Sequence, residues 1–340
     1  QGRRPGMSRV ARVAVVFTGG TISMLVDQQA GGAVPALDGA AILARTPGLA
    51  DIAEVVPLDR GMIPASHWTF ERLLGLAGDL RRLAADPTID GLVVVQGTDT
   101  IEESSFAFDL LVDTPKPIVV TGAMRNATDP GYDGPGNLRD AVRCAAAGNL
   151  AGHGVMVVLA GTIDPADDVT KTHTSRLDTF QSLNRGRLGR VDGGQVVIDG
   201  PPRPRRAVLD TKVAAQPIPI VVATIGQDEG LIRSARGLGP AGIVVEATGA
   251  GNTSPSLLAE AQAAMDAGIP IVLASRSPSG AAGSGYAFPG GGATWVRAGA
   301  LLAGTLTGAK ARIALSLALG AGLRGASLAA FLAGPPGDAS

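Results

Sequence analysis

Five runs of valine and isoleucine, with almost no polar alternation, limit what this chain can become. They are VAVVF from Val13, IAEVVPL from Ile52, GLVVVQG from Gly91, PIVVTGA from Pro117 and GVMVVLAG from Gly154. A strand with one wet face alternates, whereas a strand buried on both faces reads as a continuous apolar run. The runs therefore predict a mostly parallel sheet with helices on both faces, an α/β fold. Helical spacing fills the intervals between them. After Ser66, the expected N-cap, Phe70, Leu73, Leu74, Ala77, Leu80 and Ala84 recur until Pro87 ends the pattern. Further helices are predicted from about Asp99 through Leu111, and from Asn137 through the alanines around Cys144.

The proline- and arginine-rich stretch DGPPRPRRAVLDTKVAAQP, residues 199–217, breaks this rhythm and reads as an interdomain linker. It separates a larger N-terminal catalytic α/β domain, residues 8–198, from a smaller C-terminal α/β domain, residues 218–335. The second domain is expected to hold strands near Ile218–Ile225, Gly242–Glu246 and Ile269–Ser275, and a final helix near Ala309–Leu319. For 340 residues so divided, two separate cores are expected.

Composition narrows the function. A formal net charge of −1 leaves no electrostatic footprint for nucleic acid or an anionic membrane. Cys144 is the only cysteine, which excludes an intrachain disulfide and a thiolate metal cluster, and a buried apolar role on a helix is expected for it. Only His67, His153 and His173 are present, so a histidine metal site or a Ser–His–Asp relay has little material. No apolar run reaches the roughly 20 residues of a membrane span, and no secretory leader is evident, which points to the cytoplasm. The residues QGRRPG before Met7 resemble an expression-tag remnant.

In an open parallel sheet, ligands bind beyond the carboxyl ends of the strands. Three such ends share a character: TGGT (Thr18–Thr21), QGTDT (Gln96–Thr100) and TGAM (Thr121–Met124). FTGGTISM lacks the glycine spacing or the Gly-Lys-Ser/Thr ending of a phosphate-binding turn. What it offers is the Thr21 hydroxyl, beside two glycines that let a substrate carbonyl approach the backbone. A threonine hydroxyl is a poor nucleophile until something takes its proton. Lys171, in DDVTKTHT, is a candidate base if desolvated, and Asp99 either caps a helix or holds a cationic group and orients the lysine.

At this point the chain resembles the bacterial-type L-asparaginase and glutaminase-asparaginase family. TGGTIS, GTDTIEES from Gly97, GAMRNATDPGYDGPGNL from Gly122 and DVTKT from Asp168 stand in the family's order. SRSPSG from Ser275 and KARIALSLAL from Lys310 extend the likeness over nearly the whole chain. The resemblance implies that Thr21 attacks a side-chain amide, and that Thr98, Asp99 and Lys171 form a second group. In such a group the Thr98 position helps activate water and stabilise the oxyanion, and the Asp99 position binds the α-ammonium. The implied cycle is acyl transfer with no cofactor and no metal. It also implies a homodimer or homotetramer with shared active sites, to which Asn252 in GAGNTSPS would contribute. Gly20, Gly61 and Ala123 complete the expected substrate-binding set with Asp99, Arg60 and Asn252.

Two departures from the family pattern stand out. The lid segment MLVDQQAGGAVPAL (Met24–Leu37) carries no tyrosine, with Val26 near the family's position, and the chain's two tyrosines are Tyr132 and Tyr286. After Asp59 the chain has Arg60 and Gly61, where the family places a serine that binds the substrate carboxylate. Arg60 is either an exposed loop residue or a clamp for a carboxylate. Three readings follow: hydrolysis of L-asparagine or a close relative, the same chemistry on a different amide or ester in specialised metabolism, or non-catalytic binding of a small amino acid.

Overall fold

The computed structural model describes residues 9–226 and 229–335. Strand β1 (Arg12–Phe17) leads into a hairpin of β2 (Met24–Asp27) and β3 (Gly32–Pro35), then helix α1 (Gly39–Ala44) and β4 (Glu54–Asp59). Helix α2 (Phe70–Ala85) precedes β5 (Gly91–Val95), α3 (Ile101–Leu111) precedes β6 (Ile118–Thr121), and α4 (Gly134–Ala146) precedes β7 (Val155–Leu159). The chain then doubles back through β8 (Thr162–Pro165). A small ribbon follows, β9 (Val169–Lys171) with β10 (Phe180–Ser182), and then β11 (Gly189–Asp192) and β12 (Gln195–Ile198). The large sheet runs β12-β11-β8-β7-β6-β5-β1-β4, with β4, β1, β5, β6 and β7 parallel.

Burial explains the apolar runs of β1, β5, β6 and β7, whereas β4, also expected to be covered on both faces, lies at the sheet edge and is partly exposed. Val13, Val15 and Phe17 face a layer with Ile42 of α1 and Leu138 and Ala141 of α4. Ala14 and Val16 face the opposite layer, with Leu73, Ala77 and Leu80 of α2. Cys144 is buried on α4, where burial pushes its thiol up to about 12. Strand order reverses between β1 and β5, because the chain steps from β1 outward to β4 on one side and returns to β5 on the other. A crevice at the carboxyl ends of those two strands is the consequence.

Helix starts differ from expectation in three places. Thr69, and not Ser66, caps α2, its hydroxyl accepting from the Arg72 N–H at 3.2 Å, while Ser66 lies in a preceding 3-10 turn. Asp99 does not cap α3; its carboxylate is turned to a distant lysine. α4 starts at Gly134, three residues before Asn137, where Pro135 in the first turn suits a position with no N–H partner.

Residues 199–219 form no regular element, yet they are strapped to both domains. Leu209 N–H donates to Leu110 C=O at 2.7 Å, and buried Arg206 donates to the carbonyls of Phe331 and Leu332, each at 3.1 Å. The C-terminal domain then follows as β13 (Ile220–Val222), α5 (Gly230–Gly237), β14 (Ile243–Ala247), α6 (Pro255–Asp266), β15 (Ile271–Ser275), α7 (Gly292–Ala298), β16 (Leu301–Leu302), α8 (Gly308–Gly320) and α9 (Gly325–Ala333). Its four strands are parallel, in the order β13-β14-β15-β16. Helix α8 is not the last, since α9 follows after a short turn.

The expectation of two separate cores is corrected. One apolar layer runs from Val16 and Phe106 through Ile313 and Leu317 of α8 to Val244 and Val272 of the second sheet. Only the outer face of that sheet, with Val221, Val245 and Trp295, has a core of its own. The reason is α8: it covers one face of the C-terminal sheet, its remaining sides are also apolar, and α3 covers those. No helix of the described residues is long and apolar enough to cross a membrane.

Candidate active site

The first turn is built on glycines with no room for a side chain. Gly19 and Gly20 hold φ at +100° and +93°, a region that L side chains rarely adopt. A methyl at Gly19 would press on Ile63 N, and one at Gly20 would overlap Gly97 Cα, so the turns after β1, β4 and β5 meet backbone to backbone. Ser23 secures the turn by donating from Oγ to Gly20 C=O at 2.7 Å. Thr18 and Thr21, both singled out by the sequence, part company here. Thr18 is fully buried and donates from Oγ1 to Val95 C=O at 2.9 Å, tying β1 to β5. Thr21 opens a 3-10 turn, is half-buried, and makes no side-chain hydrogen bond among the described residues.

Across the Gly20–Gly97 contact stand Thr98 and Asp99, in the 3-10 turn after β5. Lys171, the last residue of β9, reaches both. Its Nζ donates to Thr98 Oγ1 at 3.0 Å and to Asp99 Oδ1 at 2.6 Å. The lysine side chain is 15% exposed and that of Asp99 71% exposed, so the amine is sheltered while the carboxylate opens to solvent. Asp99 Oδ2 has no partner among the described residues and stays available to a ligand cation. A cavity of about 260 Å³ lies over Asp99, Lys171, Thr172, His173 and Thr174. Glu102, on the first turn of α3, accepts from the Lys171 N–H at 3.0 Å. Buried Gln96 accepts from Ser104 Oγ at 2.9 Å and steadies the turn from below.

The third turn is structural to a greater degree than expected. Thr121 Oγ1 donates to Val158 C=O at 2.7 Å, and Ala123 is fully buried beside Ile22 and Leu138. Ala123, expected to meet substrate, therefore presents no surface, because its methyl fills the packed layer under the sheet end. Gly20 is also buried, by Gly97. The lid segment folds as the β2–β3 hairpin, with Val26 50% exposed and its N–H donating to Thr128 Oγ1 at 3.0 Å. Tyr132, to which sequence reasoning assigned no role, donates from Oη to Ile22 C=O at 2.7 Å, immediately after Thr21. Burial, with Asp133 nearby, pushes its hydroxyl up to about 12.

Arg60, expected either as an exposed loop residue or as a carboxylate clamp, is engaged by a carboxylate of its own chain. Its Nε donates to Asp79 Oδ2 of α2 at 2.5 Å and its Nη1 to Asp59 C=O at 3.1 Å. Asp79 also takes a hydrogen bond from Arg82. The Asp79 hydrogen bond holds the Arg60 guanidinium above its usual value, and the same contact holds the Asp79 carboxyl below the usual carboxylate range. An internal carboxylate thus occupies the group that was to bind an external one. Gly61 is exposed with φ +89° and takes its N–H to Asp59 Oδ1 at 3.3 Å, a turn residue. Asn252 is held by its backbone to Thr248, N–H to C=O at 2.9 Å. Its Oδ1 is buried without a partner among the described residues, and no described hydrogen bond joins it to the N-terminal turns of its own chain.

Comparison with known proteins finds likeness over most of the chain. The family described as "Asparaginase, N-terminal" matches residues 12–204, and "Glutaminase/Asparaginase C-terminal domain" matches residues 217–332. A probable L-asparaginase of Deinococcus radiodurans is 37% identical, covering 92% of this chain and 94% of its own. An L-asparaginase of Bacillus licheniformis is 31% identical, covering 91% and 95%. The crystal structure of a probable cytoplasmic L-asparaginase from Campylobacter jejuni aligns with a TM-score of 0.82 at 28% identity, covering 91% of this chain and 95% of that one. With both family domains present in order and full-length relatives on either side of one-third identity, this protein belongs to the bacterial-type L-asparaginase family.

Proposed function

We propose that this chain hydrolyses the side-chain amide of L-asparagine to aspartate and ammonia through an acyl-enzyme on Thr21. The observation that carries the reading is Lys171 Nζ held between Thr98 Oγ1 and Asp99 Oδ1, on a turn that abuts the Thr21 turn through Gly20 and Gly97. Thr21 Oγ1 adds to the amide carbon, its proton passing to the Thr98–Lys171 pair. The tetrahedral intermediate then collapses, the C–N bond breaks, and the relayed proton leaves with ammonia. Water, deprotonated by the same pair, attacks the ester; aspartate departs and Thr21 regains its proton. The Thr98 backbone N–H is assigned to the developing oxyanion in this reading, and one such donor is worth roughly 10²–10³ in rate. The free Asp99 Oδ2 receives the α-ammonium of the substrate.

The names of the relatives support this substrate. The reading that moved the chemistry to another amide or ester leaned on Arg60 as a clamp and on the missing lid tyrosine; Arg60 is paired with Asp79, the lid hairpin carries Val26 and no tyrosine, and the names of the relatives give that reading no support. A homo-oligomer with shared sites, Asn252 facing a neighbour, and a cytoplasmic location complete the proposal. Light scattering on the purified protein tests the oligomer, and cell fractionation tests the location. The decisive test is ammonia release from a panel of small amides. Asparagine turnover that disappears in Thr21→Ala and in Lys171→Met supports the assignment, and normal turnover in both variants overturns it.

A further inference from the structure

The strand that carries Lys171 has one free edge, and that edge is closed by two opposite charges from different domains. β9 pairs only with β10, through Val169 with Ser182, Thr170 with Gln181 and Lys171 with Phe180. Residues two apart in a strand direct their amide groups to the same side. The Lys171 N–H and the Val169 C=O therefore both face away from β10, where no ladder reaches them. The N–H donates to Glu102 Oε2 of α3 at 3.0 Å, and the C=O accepts from Lys310 Nζ of α8 at 2.6 Å.

Lys310 is 1% exposed, with its Nζ 5.9 Å from the Phe106 ring centre and buried Arg206 over the same ring. Burial lowers its ammonium to about 8, while Glu102, Asp167 and Asp168 hold it up and Arg206 pushes it down. A methionine or leucine would fill this place at less desolvation cost. What the lysine alone supplies is a donor for Val169.

We propose that Lys310 is a positioning residue for the hydrolytic site: with Glu102 it clamps the free edge of β9 and so sets Lys171 against Thr98 and Asp99. The site in the N-terminal domain then depends on the C-terminal domain of the same chain. This rests on the reading of Lys171 as part of the reacting cluster.

Lys310→Met keeps the stem and removes the donor. Measured on asparagine at a temperature where circular dichroism shows a folded protein, kcat is expected to fall about 10- to 100-fold, the scale of a small misplacement of a reacting group. KM is expected to change less than about threefold, because Lys310 touches no substrate group. Ser316→Ala, on the same helix, removes a buried bond to Ala215 C=O of 2.6 Å that does not reach β9, and is expected to lower Tm with kcat unchanged. Wild-type kcat in Lys310→Met, or an equal loss in Ser316→Ala at the same drop in Tm, overturns the proposal. If Lys310→Met does not fold, Glu102→Ala opens the other half of the clamp: lost kcat with steady KM supports the proposal, and unchanged kcat overturns it. Lys171→Met separates the two readings. If it stays active the hydrolytic assignment falls, whereas an inactive Lys171→Met beside a fully active Lys310→Met removes the clamp alone.

Discussion

Gly20 and Gly97 touch backbone to backbone, so that no side chain fits between the turns that follow β1 and β5. The contact is what brings the Thr21 turn alongside the Thr98–Asp99 turn. Gly20→Ala adds a methyl where φ is +93° and where Gly97 already stands. The strain alone amounts to about 1–3 kcal/mol, and pushing the turns apart separates groups that must act together. The expected result is a lower Tm and at least about a 100-fold loss of kcat, read from chemical denaturation and an ammonia assay. A variant with normal kcat shows that the contact is dispensable.

Asp99 gives Oδ1 to Lys171 and leaves Oδ2 without a partner among the described residues, and under the proposed reading Oδ2 receives the incoming ammonium. Asp99→Asn is expected to raise KM for asparagine roughly 10- to 100-fold, the worth of a hydrogen bond to a charged group, and to lower kcat as well. If KM stays constant while kcat falls, Asp99 acts on Lys171 only.

Arg60 is expected to be silent toward substrate. Its side chain is 34% exposed and engaged with Asp79, so Arg60→Ser should cost stability within ~1 kcal/mol after solvent screening. KM for asparagine should stay within about twofold. A large rise in KM means that the guanidinium leaves Asp79 for the substrate carboxylate.

Tyr132 provides the pH test. Its hydroxyl is raised to about 12 in the folded protein against an unfolded value near 10, so folding favours the neutral phenol. The stabilisation it contributes is complete below about pH 10 and is lost as pH rises through 12. Ultraviolet titration of the native protein should show a phenol ionising near pH 12 that is absent from Tyr132→Phe. That variant should also be about 1 kcal/mol less stable at neutral pH, through loss of the bond to Ile22 C=O. Ionisation of Tyr132 near pH 10 contradicts the burial.

The parallel sheet was legible because its evidence is local: Val13–Phe17 and Gly91–Val95 need cover on both faces, and a run of apolar residues says so by itself. The motifs that the structure gathers into the candidate site were legible for a related reason. TGGTIS, GTDT and DVTKT each carry their residues within one turn, and strand ends are where the fold collects such turns. Apart from the shared core and some helix ends, the assignments that changed concern single side chains. Thr18 and Thr121 look like Thr21 in sequence but point sideways to a neighbouring strand's carbonyl. Arg60 found Asp79, 19 residues away on a helix.

Sequence alone therefore determined the class of fold and the order of the motifs, because apolar periodicity and short glycine turns are properties of adjacent residues, while the family followed from the resemblance of those motifs to known ones. Tertiary structure alone decided which hydroxyls are free, which arginine is already paired, and that Lys310, 139 positions beyond Lys171, closes the edge of its strand. Those depend on which groups become neighbours once the two domains share a core, and a buried hydrogen bond or ion pair joins residues without regard to their separation along the chain.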